Sequence, residues 1–174
     1  GWFVEFPETI WVQNSSALYL QSEPSISYAI SDKTKKILDI NSDRILLDLE
    51  QGYEIIHRNR GPEHSRTHIP GSNIFHDTLT DEWWIWSDFE LWRVLQDGTV
   101  ELLNRHGSKI KTVLPLDKYG LKLLVDETGA HAFNPGSFPL TTLLPSDIGW
   151  ITTLPHVRTI VYQTADGRLF TREY

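Results

Sequence analysis

Hydrophobic residues in this chain fall into short alternating or apolar runs, rich in β-branched and aromatic side chains and separated by turn-forming residues. A period of two, interrupted every few residues by Gly, Asn or Asp, predicts strands joined by tight turns. Ser27–Ile40, SYAIS-DKTK-KILDI, has two arms around a polar four-residue turn, and Arg44–Ile56, RILLDLEQGYEII, turns at Gln51-Gly52. Phe89–Leu103, FELWRVLQDGTVELL, turns at Asp97-Gly98, a dipeptide that tolerates the positive φ angles of a tight hairpin. Leu121–Phe133 turns around Asp126–Gly129, and Thr159–Tyr174 turns at Asp166-Gly167. Five hairpins leave little room for helix. The best helical window, Asp32–Ile40, gathers its apolar residues at one end instead of at i, i+3, i+4 and i+7, so it reads as strand.

The hairpins recur. Thr112-Val113-Leu114-Pro115 precedes the Asp126–Gly129 hairpin and Thr152-Thr153-Leu154-Pro155 precedes the Asp166-Gly167 hairpin, which places two T-x-L-P segments 40 residues apart. The turn glycines Gly52, Gly98, Gly129 and Gly167 are separated by 46, 31 and 38 residues. Spacing centred near 40 is a blade period. YAISDKTKKILDI and VYQTADGRLFTREY, with their polar D-x-T-x-K and A-D-G turns, resemble inner hairpins of WD40-like, TolB-like and quinoprotein-like β-propeller blades. The resemblance implies an all-β fold of successive antiparallel hairpins in a small β-propeller-like architecture, in which four blades of about 43 residues fill the 174. A two-sheet β-sandwich is the alternative.

Composition narrows the class. The length fits a single β domain over residues 1–174, and 40% hydrophobic with 22% charged residues is the balance of a folded chain. The net charge of -7 argues against nucleic acid, which requires a basic surface. Without cysteine there is no disulfide, thiolate nucleophile or thiolate metal site. No apolar run approaches the roughly 20 residues of a membrane helix, and Gly1–Ile10 is too polar and acidic for a signal peptide. Methionine is absent even at position 1. The reading is an excised part of a larger protein, extracytoplasmic (periplasmic or cell-surface), with a membrane anchor possible outside the segment.

Two constellations carry candidate chemistry. His57, His64, His68 and His76 lie in a stretch with Glu63 and Asp77 beside them, and imidazoles with carboxylates are ligands for zinc and similar ions. Gly61-Pro62 and Pro70-Gly71 make that stretch, Arg58–Glu82, a long loop interrupting the repeat. A polar surface loop with no ligand role is the competing reading. Within it, HIPGS at His68–Ser72 resembles the H-I-P-G segment of rhodanese sulfurtransferases, although sulfur transfer itself would need a cysteine.

The second constellation is aromatic: Trp83, Trp84, Trp86, Phe89 and Trp92, interleaved with Asp81, Glu82, Asp88 and Glu90. In a strand Trp84 and Trp86 share one face while Trp83 points to the other. Indoles beside carboxylates suit sugar rings or cationic ligands, so Trp83, Trp84, Trp86, Trp92 and Asp88 are the candidate ligand-binding residues. The competing reading is that the rings wedge sheets together.

No G-x-S-x-G elbow, Gly-rich phosphate loop or H-E-x-x-H occurs, and nothing calls for a cofactor. The function expected is a non-catalytic sensory or protein-interaction domain of a larger receptor or regulator, binding a protein partner or small ligand. A carbohydrate-binding module using Trp83–Trp92 and a metal binder or metal-dependent enzyme using His57–His76 are the alternatives.

Overall fold

The structure is a computed structural model that describes residues 2–6, 9–14, 16–20, 22, 26–59 and 65–174. The chain divides into two compact units, Gly1–Ile69 and Pro70–Tyr174. Every sheet in them is an antiparallel meander whose strands pair in chain order.

The first unit holds two four-stranded sheets. The first sheet is β1 (Trp2–Phe6), β2 (Thr9–Gln13), β3 (Ala17–Leu20) and β4 (Ser27–Ala29). The second is β5 (Thr34–Ile40), β6 (Arg44–Leu49), β7 (Tyr53–His57) and β8 (Arg66–Ile69). Leu18, Leu20, Tyr28 and Ile30 of the first pack against Ile37, Ile40, Ile45, Leu47 and Ile56 of the second. In β6 the alternate residue Leu46 is buried as well, so this strand is covered on both faces and reads as an unbroken apolar run.

The second unit holds three sheets. Its first, the third in the chain, is β9 (Asn73–Asp77), β10 (Glu82–Trp86), β11 (Glu90–Val94) and β12 (Val100–Arg105). The fourth sheet is β13 (Thr112–Pro115), β14 (Lys122–Val125), β15 (Gly129–Asn134) and β16 (Ser137–Pro145). The fifth is three-stranded: β17 (Ile148–Leu154), β18 (Thr159–Thr164) and β19 (Leu169–Glu173), with a 3-10 turn at Pro155–Val157 between β17 and β18. Strand parity in β14 explains the packing. Leu124 joins Trp84, Trp86 and Phe133 in the core shared with the third sheet, while Leu123 and Val125 join Ile160 in the core shared with the fifth. Lys122 has the parity of Leu124 and points the same way.

The all-β architecture of successive sheets is as the hairpins imply, with corrections of detail. Five sheets are present where four blades of about 43 residues were expected; from the second sheet on, first strands begin at Thr34, Asn73, Thr112 and Ile148, a tighter period. The Ser27–Ile40 segment is not a hairpin. Its arms, β4 and β5, pair with β3 and β6 respectively, and the polar turn between them carries the chain from one sheet to the next. The glycine spacing is ragged because Gly98 turns the chain between the third and fourth strands of its sheet, whereas Gly52, Gly129 and Gly167 turn it between the second and third. Finally, Arg58–Glu82 is not one long loop: β8 and β9 lie within it.

Candidate functional site

The tryptophans come first because β10 is Glu82-Trp83-Trp84-Ile85-Trp86, a strand with rings on both faces. Trp84 and Trp86 are buried in the core shared with the fourth sheet, and Trp84 meets Phe133 edge-on with centroids 5.9 Å apart. Trp92 is cross-strand partner to Ile85 on the opposite face and is buried too. Trp83 is half-buried, stacked on its cross-strand neighbour His76 at 4.3 Å and 10°. Asp88 is exposed in the β10–β11 turn and pairs with Lys109 at 2.9 Å. The idea of a displayed indole platform is therefore corrected. Rings whose surfaces already close the space between sheets have no face left for a ligand, and the wedge reading describes Trp84 and Trp86, while Trp92 is simply buried.

The histidines do not gather either. His57 on β7 is buried, its Nε2 3.3 Å from the Thr67 hydroxyl. His68 on β8 is exposed and registers with Glu54. Residues 54 and 57 differ by an odd number along β7, so His57 and His68 lie on opposite faces of the sheet and cannot share an ion. His76 stacks on Trp83 and sets its Nε2 3.0 Å from Asp81. His64 lies outside the described residues. Among the described residues no three His, Cys, Asp or Glu side chains are placed to hold a metal ion. HIPGS, for its part, forms the link from β8 to β9 in an all-β chain. Gly71 is buried there, packed so closely that a Cβ would run into Ile85 Cγ2, so its place in the motif answers to close packing.

Two polar networks hold the second unit. Asp77 receives Lys122 Nζ at 2.6 Å, the Leu79 amide and the Thr80 hydroxyl, and Lys122 also lies over the Trp84 ring at 5.1 Å. Burial alone would raise the Asp77 carboxyl; the hydrogen bonds from Lys122, Leu79 and Thr80, with the lysine charge, bring it below its ordinary value. Asp126 starts the β14–β15 turn: its Oδ1 accepts from the Thr128 and Gly129 amides at 2.6 and 3.0 Å, and His106 Nε2 stands 2.7 Å from its Oδ2. His131 and the Thr128 hydroxyl complete the shell. Here too burial pushes upward, but the bonds from Thr128, His106 and His131 win and lower the carboxyl to about 2. With both oxygens engaged, Asp126 serves to hold the turn.

The two T-x-L-P segments converge on a cleft. Each ends the first strand of its sheet, β13 at Pro115 and β17 just before Pro155. The Thr153 hydroxyl, in the x position of the second motif, donates to the Pro115 carbonyl of the first at 2.6 Å. Beyond these ends, the β13–β14 turn and the Pro155–Val157 turn face each other across a cavity of about 450 Å³ lined by Asp117, Lys118, Tyr119, Pro155, His156 and Arg158. Asp117 Oδ1 accepts from the Tyr119 and Leu121 amides at 2.8 and 3.0 Å, shaping the first wall, and Tyr119 stands 82% exposed at its lip. Arg158 closes the second wall in a left-handed conformation at φ 50° and lies over the Tyr174 ring at 5.6 Å. A second cavity of about 380 Å³, with Leu116, Leu143, Phe133 and Tyr174 among its lining, shares Arg158 with the first. Burial raises the Tyr174 hydroxyl; Asp117 adds to this and Arg158 opposes it. Lys118, Tyr119, His156 and Arg158 were not among the residues expected from sequence. The repeat of T-x-L-P, immediately upstream of both walls, is the signal that leads to them.

A scan against protein-family models finds no match, and neither does a comparison with curated proteins. Solved structures do match. Kluyveromyces lactis Hsv2, a β-propeller, is 11% identical with a TM-score of 0.53, covering 99% of this chain and 61% of that one. Hsv2 of K. marxianus gives 0.54 at 9% identity, covering 95% and 56%. The extracellular domain of the putative hybrid two-component system BT4673 of B. thetaiotaomicron is 17% identical with a TM-score of 0.52, covering 99% of this chain and 27% of that domain. The likeness establishes a fold of β-propeller type. The chain spans just over half of the Hsv2 structures and about a quarter of the BT4673 domain.

Proposed function

We propose that this chain is a recognition region of an extracytoplasmic sensor or receptor, binding a small ligand or a partner protein without transforming it. The observation that carries this reading is the cleft between the β13–β14 and β17–β18 connections. Those turns are preshaped by Asp117 and by the Thr153–Pro115 bond, and they expose an aromatic and several charged side chains above a rigid sheet scaffold. The likeness to the BT4673 extracellular domain over nearly the whole chain supports the location. No helix among the described residues is long and apolar enough to cross a membrane. The proposal is tested by treating intact cells of the native host, with the outer envelope permeabilised where there is one, with a protease that does not cross the inner membrane. Cleavage of this region while a cytosolic control stays intact is expected. Protection until the cells are lysed would place it inside and overturn the reading.

A further inference from the structure

The cleft has a charge that the chain as a whole does not. The net charge is -7, yet the 450 Å³ cavity is walled by Lys118, Arg158 and His156 against a single carboxylate, Asp117. That carboxylate already accepts two backbone hydrogen bonds within its own turn. The Lys118 ammonium lies over the Tyr119 ring at 5.1 Å and the Arg158 guanidinium over Tyr174; neither pairs with a carboxylate among the described residues. Several other cations of this unit pair with carboxylates: Lys122 with Asp77, Arg93 with Glu82 and Glu101, Lys109 with Asp88, Arg168 with Asp166. Two unpaired cations on facing walls, in an acidic protein, create a local positive field aimed into a concave space.

The walls are also held in place. Gly120 turns the first at φ 99°, and its carbonyl accepts from the buried Lys122 ammonium at 3.1 Å, so the turn that presents Lys118 and Tyr119 is anchored to the interior ion pair. The second wall is bonded through the Tyr174 amide to the Arg158 carbonyl at 3.2 Å. Tyr119 adds an almost free ring. The buried Tyr174 hydroxyl, at the neighbouring cavity that shares Arg158, has no hydrogen-bond partner among the described residues. Cations that grip, a ring that stacks and a donor that waits form a set that suits one chemistry.

We infer that this cleft binds a small organic anion in which a phosphate, sulfate or carboxylate group is attached to a planar ring. Arg158 and Lys118 take the anionic group from opposite walls, and Tyr119 covers the ring. The inference deepens the recognition reading and rests on it for biological role, but binding in solution does not depend on where the protein resides, so the two can fail separately.

The test is isothermal titration of the purified chain, at fixed ionic strength, with phenyl phosphate, phenol and inorganic phosphate. Phenyl phosphate is expected to bind at least about tenfold tighter than phenol and tighter than inorganic phosphate. Arg158→Asn, which keeps a residue type at ease in the left-handed region, and Lys118→Gln are each expected to weaken phenyl phosphate about tenfold with an unchanged far-ultraviolet spectrum and melting temperature. Tyr119→Ala is expected to weaken phenyl phosphate while leaving inorganic phosphate unchanged. Absence of phenyl phosphate binding at millimolar concentration would overturn the inference, and so would equal affinities in the wild type and the Lys118→Gln and Arg158→Asn variants. Equal binding of phenol would show that the ring alone is recognised and would also contradict it.

Discussion

Lys122 of β14 sets its ammonium 2.6 Å from the Asp77 carboxylate of β9, with the two side chains 0% and 1% exposed. The pair joins the third sheet to the fourth at the edge of the tryptophan core, because Lys122 shares its parity with Leu124. A buried pair of this kind adds little over a well-packed apolar substitute, but removing one partner strands the other charge in a low-dielectric interior. Lys122→Met is expected to cost about 3–5 kcal/mol. The double variant Lys122→Met with Asp77→Asn, which keeps acceptors for Leu79 and Thr80, should recover at least about 1 kcal/mol of that loss in urea unfolding. Additive losses would show that the two side chains act independently.

Acid sensitivity should trace in part to Asp126, beside the smaller contribution of Asp77. Its carboxyl falls from an ordinary 3.8 to about 2 in the folded chain. A depressed carboxyl contributes stability above its unfolded value and loses it as the pH falls through the folded one. The window is therefore between roughly pH 4 and pH 2, and the contribution is about 2 kcal/mol. Asp126→Asn should lower stability at pH 7 and flatten the acid limb of the stability profile. Parallel acid limbs for variant and wild type would assign the effect elsewhere.

Trp84 and Trp83 set a fully buried ring beside a half-buried one on the same strand. Trp84→Ala is expected to destabilise the second unit by about 3–5 kcal/mol, whereas Trp84→Phe should cost much less, since the buried indole N–H has no hydrogen-bond partner among the described residues to lose. Trp83→Ala removes only a half-buried ring stacked on His76 and should cost about 1 kcal/mol. Thermal unfolding monitored by near-ultraviolet circular dichroism orders the three.

Gly129 and Gly107 make a second contrast. At φ 144° Gly129 sits where a Cβ would collide with the Leu144 carbonyl oxygen, while a Cβ at Gly107 would meet nothing within 4 Å. Gly129→Ala should destabilise by roughly 2 kcal/mol or more, and Gly107→Ala should stay within about 0.5 kcal/mol of the parent. Comparable effects at both positions would contradict the turn geometry.

The hairpins were readable in the sequence where apolar or alternating strands flank a turn that demands positive φ, as at Gly52, Gly98 and Gly167 with φ of 87°, 83° and 88°. β8 was not readable, because Arg66, Thr67 and His68 make an edge strand with little apolar alternation. Parity in β10 was visible, but whether the Trp84 and Trp86 face meets water or another sheet is decided by Leu124 and Phe133, some forty residues away. The same distance hid the cleft. T-x-L-P was evident as a repeat, yet the chemistry lies in the four or five residues after each copy, which share no sequence and meet only in space.

The most direct measurement is amide hydrogen exchange, followed by mass spectrometry, on the chain with and without phenyl phosphate. Recognition by the paired turns predicts slowed exchange in residues 116–121 and 154–159, with β6 and β14 protected equally in both states. Protection centred on β10, or unchanged exchange at both turns under conditions where the ligand is bound, would contradict it.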